Sequence, residues 1–385
     1  MLAFLRDRKV RGYLFQLLTI TIVVAFMWYI GVNTAHNIEQ RGIRTGFGFF
    51  NATAGFGIDD SPISYTPSNT YARVFLVGLL NTLIVTFVSM ILATILGLIL
   101  GVLRLSKNWL ISKLSLVYIE IFRNIPVLLQ ILFWYNVVLR TLPSPRQSIK
   151  LFGDNIVLNN RGLYLPEPAL NSTTILMISS IFVVLVFIYF LNKWSDRRQE
   201  RTGEEFLVMP VGIGLLIIAP ILAYFMGGAN FDFSYPHLVG FSFQNGKHFY
   251  PEFVALALAL TIYTATYIAE AIRGGIEAVN KGQKEAAYSI GLSNYQALKL
   301  VILPQAIRVA IPPIINQYLN ILKNSSLATA IGYPELVTVF AGTTLNQVGQ
   351  AVEIISITML VYLVISLVVS AMLNWVNFKV KIKER

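Results

Sequence analysis

Ionisable side chains inside apolar runs are where this chain could do chemistry. Each is costly in hydrocarbon and must face a bundle interior, a cavity or a partner. VYIEIFRNIPVLLQ sets Glu120 and Arg123 three residues apart, and TYIAEAIRGGI does the same for Glu270 and Arg273. At that spacing two charges share a helical face and can pair, which lowers the burial cost. The same groups could instead meet a solute, Glu120 or Glu270 an ammonium and Arg123 a carboxylate held by two parallel hydrogen bonds. Asn81 and Thr82 in VGLLNTLIVT, with Gln130 and Tyr267, add uncharged donors and acceptors. They could line a path, or bridge helices as such side chains commonly do. Pro126 should kink its helix and open space beside Arg123. None of this is covalent chemistry. The chain has no cysteine, no G-x-x-x-x-G-K-[ST] loop and no Ser, His and Asp constellation. His36, His237 and His248 lack metal-ligand spacing and read as solvated loop residues, so no metal site is expected.

A second chemical feature is mechanical. EAAYSIGLSNYQALKLVILP at 285–304 is polar and partly charged, yet it lies between two long apolar segments. Glu285-Ala286-Ala287, Gly291 and Leu303-Pro304 read as a short helix, a glycine break, a second helix and a proline stop. Ala286, Ala287 and Gly291 let another backbone come close, while Lys284 and Glu285 can make charged contacts at the edge. Upstream, Arg273-Gly274-Gly275 reads as a flexible exit from a helix.

The elements that must position these residues are membrane spans. Hydrophobic residues make up 55% of the chain, charged residues 13%, and the mean hydropathy is +0.65. A soluble domain carries about 25% charged residues. Apolar runs long enough to cross about 30 Å of hydrocarbon occur near 13–31, 74–103, 114–139, 172–191, 207–226, 252–271, 308–322 and 355–375. Pro312, Pro313, Asn316, Gln317 and Asn320 interrupt the seventh, which a helix packed inside a bundle can carry. No small-residue cleavage site follows the first run, so it reads as a retained helix and not a signal peptide.

With the N-terminus inside, 20 of the 30 basic residues fall on the cytoplasmic side, from Arg6 and Arg8 to the C-terminal KVKIKER. That asymmetry places both termini in the cytoplasm. It also accounts for the net charge of +11 without a nucleic-acid partner. Residues 32–73, 140–171 and 227–251 read as irregular periplasmic loops.

GLLNTLIVT (78–86), YIEIFRNIPVLLQ (118–130), YIAEAIRGGI (267–276), GQKEAAYSIGLS (282–293) and LPQAIRVAIPPIINQYLNILKNSSLA (303–328) resemble, in order, the landmarks of permeases of polar amino-acid ABC importers. The pattern E-A-A, three residues, G, nine residues, I-x-L-P is that family's coupling loop, with Val301 here in place of Ile. Many members have R-G-T-P where this chain has RNIP at 123–126. NIEQRGIRTGFGFF at 37–50 and the extra length resemble the long permease of general L-amino-acid importers.

The resemblance implies an all-α polytopic membrane protein of about eight transmembrane helices around a five-helix core, in a bacterial inner membrane. Four segments follow: 1–70, an N-terminal helix and loop; 71–139, the first part of the core; 140–250, an insertion with two helices; and 251–385, the second part, with the cytoplasmic loop at 272–307. The implied complex adds a second, homologous permease, two ATPase subunits and a periplasmic amino-acid-binding protein. ATP and Mg²⁺ are implied on the ATPase, no cofactor on this chain, and amino acids as cargo. A related importer of opines, or a proton-coupled secondary transporter using Glu120 and Glu270, are the rival readings; the latter would not need the 285–304 loop.

Overall fold

A computed structural model describes residues 8–153, 155–204 and 206–380. Arg6, Lys381, Lys383 and Arg385, part of the expected cytoplasmic charge, lie outside the described residues. The helices are α1 (Arg8–Gln40), α2 (Tyr71–Arg104), α3 (Trp109–Asn124), α4 (Val127–Leu132), α5 (Ser172–Thr202), α6 (Val208–Met226), α7 (Pro251–Glu277), α8 (Lys281–Ser289), α9 (Asn294–Ala297), α10 (Leu303–Asn324), α11 (Leu345–Val348) and α12 (Ala351–Val380). Wide π turns occupy Phe133–Leu139, Leu298–Ile302 and Val337–Thr344. Among the described residues seven helices are long and apolar enough to cross a membrane, and α3 with α4 makes an eighth if that broken pair is one span. The break falls where Pro126 lacks the N–H that would continue α3.

Two compact units divide the chain, one from the described residues up to Arg123 and from Tyr263 onward, the other from Asn124 to Ile262. The first is organised by α2. Its buried residues Val74, Gly78, Asn81, Val85, Ser89, Ala93, Gly97 and Gly101 recur every three or four positions and form one stripe. Small residues on that stripe bring backbones together. A Cβ on Gly97 would sit 2.7 Å from the side chain of Ile268, one on Gly101 3.0 Å from the carbonyl oxygen of Ala269, and one on Gly78 2.9 Å from Leu336 Cα. Leu100 and Ile119 bury against Ala265 and Ala269 beside this seam.

Residues 32–73 are more ordered than an irregular loop. α1 runs through to Gln40, and the segment after it folds back through a turn at Gly48–Asn51 and a bridge between Thr53 and Thr70. The cause is aromatic: Phe49 and Phe50 stack 4.6 Å apart and pack with Phe75 and Phe340, whose rings are 5.2 Å apart. Burial of such rings contributes more than the chain entropy of a short turn costs.

In the second unit α5 and α6 form a helical hairpin. Thr173 meets Gly227, Ile188 meets Gly212, and Ser195 meets Phe206, a pairing that runs antiparallel. Asn171 caps α5 by accepting from the Thr174 amide, and Gly203 ends it with φ of 74°. The flanking segments, expected as irregular, are partly β. Strands β1 (Ile149–Leu151), β2 (Ile156–Asn159), β3 (Gly162–Leu165), β4 (Glu167–Pro168), β5 (Phe233–Ser234), β6 (His237–Val239), β7 (Ser242–Gln244) and β8 (Lys247–Phe249) form a sheet of order β1-β2-β3-β8 and the pairs β4-β5 and β6-β7. Strands of two to four residues are too short to show a period of two, and the partner of β3 lies beyond α5 and α6.

His248 is therefore not a solvated loop residue. It sits opposite Tyr164 with the rings parallel at 4.2 Å, and its Nε2 is 2.8 Å from the carbonyl oxygen of Arg161. Burial holds its pKa below the usual 6.5, opposed by that carbonyl and by Glu252. A depressed histidine pKa means that the unfolded chain takes up the proton more readily. Its contribution is thus present above 6.5 and is lost as pH falls through that value toward the folded pKa. After correction for the intrinsic slowing of amide exchange at lower pH, protection across 156–165 is expected to fall between pH 7 and 5 more in the native protein than in His248→Phe; equal pH responses would show that His248 does not set the sheet's stability.

Candidate functional site

The 281–304 segment is built from caps. Asn280 accepts from the Gly282 amide and starts α8; Gly291, at φ +83°, ends it, with the amides of Gly291 and Leu292 donating to the carbonyls of Tyr288 and Ala287. Ser293 and Gln296 then cap each other reciprocally at the start of α9. The expected helix, glycine break and helix are present, but the proline stop is not. Pro304 lies in the first turn of α10, and the chain stays helical from Asn294 to Asn324. A proline has no N–H to lose there, and the π turn before it takes up the irregularity. Nor is Arg273-Gly274-Gly275 a flexible exit. It lies within α7, and a Cβ on Gly275 would stand 2.6 Å from the carbonyl oxygen of Ala306.

The knob shows one packed edge and one open one. Ala287 turns inward at 3% exposure, while Glu285, Ala286 and Gly291 are exposed and, chain neighbours apart, nothing among the described residues lies within 4 Å of a Cβ on Gly291. Tyr288, Ile290 and Tyr295 stand out from this polar segment, Ile290 at 77% exposure. Leu303 and Pro304 are exposed, while Val279, Ile302 and Ala306 bury together and tie the knob to α7 and α10. Exposed apolar groups rimmed by polar ones make a surface that another molecule could cover.

Within the spans, Glu270 and Arg273 pair as their spacing predicts, at 2.8 Å, and Arg273 also bonds Glu277. Tyr267, one turn earlier on α7, bonds the Tyr263 hydroxyl at 3.0 Å. Glu120 is exposed on α3 and Arg123 is half-buried. Gln130 is buried at the end of one turn of α4 and donates to the Ile125 carbonyl at 3.0 Å.

Asn81 and Thr82 act as braces. The Asn81 amide donates to the carbonyls of Asp60 and Pro334, and Thr82 accepts from the Leu336 amide at 3.1 Å. They also stand far from Glu270: Gly97, sixteen residues or about 24 Å further along α2, is the level that meets Ile268.

One carboxylate escaped notice in the sequence. Glu335 is fully buried before the π turn at Val337–Thr344, and five donors converge on it: the amides of Val337 and Thr338 (2.8 Å each) and the hydroxyls of Thr338, Tyr362 and Thr329. Its signal was a lone acid in the apolar run GYPELVTVF.

Long apolar helices packed on glycine seams, with a capped polar knob between two of them, define a multi-pass membrane protein. Residues 174–382 match the family described as "Binding-protein-dependent transport system inner membrane component", and the chain belongs to it. It is 50% identical to the "Putative amino-acid ABC transporter permease protein YhdX" of Escherichia coli (strain K12), over 98% of this chain and 95% of that one. It is 45% identical to the "General L-amino acid transport system permease protein AapQ" of Rhizobium johnstonii, over 98% and 94%. A third relative, the "Glutamate/glutamine/aspartate/asparagine transport system permease protein BztB" of Rhodobacter capsulatus, is 39% identical over 96% and 95%.

Proposed function

We propose that this chain is a permease through which an ATP-driven importer takes up a broad range of L-amino acids delivered by a periplasmic binding protein. The observation that carries this reading is similarity from end to end, extra segments included, to permeases named for amino acids. In this reading the chain pairs with a second, homologous permease, and two separate subunits bind ATP and Mg²⁺ and hydrolyse the nucleotide. One of them docks on 285–304, where Glu285, Ala286 and the open side of Gly291 face outward from the fold. Both termini lie in the cytoplasm. The core is 71–139 with 251–385, flanked by 1–70 and by the 140–250 insertion. ATP-driven closure of the ATPase pair reaches the spans through the knob's attachment to α7 and α10.

The test is to purify the chain with its gene-neighbour products and measure ATPase activity and uptake in lipid vesicles, with each candidate amino acid and binding protein. Stimulation by several loaded forms of the binding protein is expected; a chain that purifies alone and moves substrate on a proton gradient would overturn the reading.

Of the candidates for the path through the membrane, Asn81 and Thr82 serve as braces, and Glu120, Arg123, Gln130, Tyr267 and Glu270 are carried forward, each on its own, as residues the cargo could meet. If Glu270 meets the side-chain ammonium of a basic cargo, Glu270→Gln should weaken transport of basic amino acids by about tenfold relative to acidic ones, the scale of one charged hydrogen bond. Equal loss for all cargoes would leave Glu270 as the structural partner of Arg273.

A further inference from the structure

The loop that follows α1 encloses, with Tyr71 and the α11–α12 junction, a cavity of about 650 Å³. Arg44, Thr53, Tyr71, Gln347 and Gln350 line it, and no Asp or Glu does. Phe49 forms an apolar floor that the Phe50 and Phe340 rings hold rigid. The rim is tied down where the Gly46 amide donates to Glu353 Oε1 at 2.7 Å.

Three features of this wall are unexplained by the fold. Gln350 is only 6% exposed, and its buried Oε1, an acceptor, has no hydrogen-bond donor among the described residues. Native structures seldom leave a buried amide oxygen in that condition without a ligand or water to satisfy it. Gln347 accepts from the Tyr71 hydroxyl at 2.8 Å, which leaves its NH₂ as a donor. Arg44 has no ion-pair partner among the described residues. A guanidinium and an amide NH₂ are donors suited to a planar carboxylate, the Gln350 oxygen beside them is an acceptor suited to an ammonium, and the volume falls in the range of small-molecule sites.

We propose that this cavity binds a free amino acid, with Arg44 as counter-ion to its carboxylate, the Gln347 NH₂ donating to the same carboxylate, and Gln350 Oε1 accepting from its ammonium. The site is separate from the candidates within the spans and belongs to the segment that lengthens this permease. It rests on the amino-acid cargo proposed above.

Calorimetric titration of the purified permease complex in lipid nanodiscs, without binding protein, tests it with L-glutamine, L-glutamate and L-glutamine α-amide. The two free acids are expected to bind, and the amide at least tenfold more weakly. Arg44→Gln, at an exposed position that should not disturb folding, is expected to weaken both acids at least tenfold, with Arg44→Lys restoring part of the loss; Gln350→Leu should weaken them also. Binding indifferent to α-amidation, or unchanged in Arg44→Gln, overturns the proposal, as does the absence of any binding. Uptake with loaded binding protein, measured on the same preparations, separates the two readings: amino-acid uptake without Arg44-dependent binding removes this site and leaves the transport function standing.

Discussion

Replacing Gly291 with valine should abolish most transport while leaving the chain folded and inserted. The backbone there has φ of +83°, where a side chain costs about 1–2 kcal/mol and a β-branched one more. Its chain neighbours apart, no atom of the described residues lies within 4 Å of the new Cβ, so packing elsewhere in the fold is not disturbed. Whatever the substitution disturbs is then either the turn between α8 and α9 or a partner seated against it. Uptake in vesicles is expected to fall at least tenfold with membrane levels unchanged, and co-purification of the ATPase should weaken. Gly291→Ala, with a smaller intrusion, should fall between. Normal uptake in Gly291→Val would remove the knob from the path of energy transfer.

Glu335→Ala should damage the protein more severely, and at an earlier stage. Truncation strands the amides of Val337 and Thr338 and removes the carboxylate acceptor of the Tyr362 hydroxyl, donors that all lie within 3.1 Å of the carboxylate. Each buried donor left unsatisfied costs about 1–3 kcal/mol, so the sum is a large part of the stability of an ordinary domain. The expected readout is loss of monodisperse protein after extraction and a marked fall in thermal midpoint. Tyr362→Phe, which removes one donor and keeps the ring, should cost about 1 kcal/mol. A neutral Glu335→Ala, or a Tyr362→Phe equally damaging, would show that the cluster does not hold the 325–344 region in place.

These two residues also mark how far the sequence could be read. Gly291 was legible because a glycine between two helical patterns has few other uses. The spans were legible because a bilayer demands about 20 apolar residues per crossing, and the Glu270–Arg273 pair because helical geometry alone sets their approach. Glu335 was not, since its donors come from Thr329 before it and Tyr362 well after it, a convergence only the tertiary fold creates. Asn81 hid its role for the same reason: its acceptors belong to Asp60 and Pro334. Pro304 misled because proline ends helices from within but fits their first turn, and only the preceding π turn decides which case applies. The short strands around α5 and α6 were invisible because pairing over two to four residues leaves no pattern in composition. The unpaired Gln350 oxygen was equally silent, because a glutamine declares its partners only once neighbours are placed.

The π turn at Leu298–Ile302 also sets an azimuth. Such a turn holds one residue more than the α-helix it interrupts, and one residue corresponds to about 100° of rotation about the axis. Removing Leu300 would let α9 run into α10 as a regular helix and swing everything before it, α8 and Gly291 included, through that angle. The composition and the apolar span of α10 would be almost untouched, yet the knob would point elsewhere. A single surplus residue thus fixes the phase between the membrane helix and the surface it presents, as a keyway fixes a gear on its shaft.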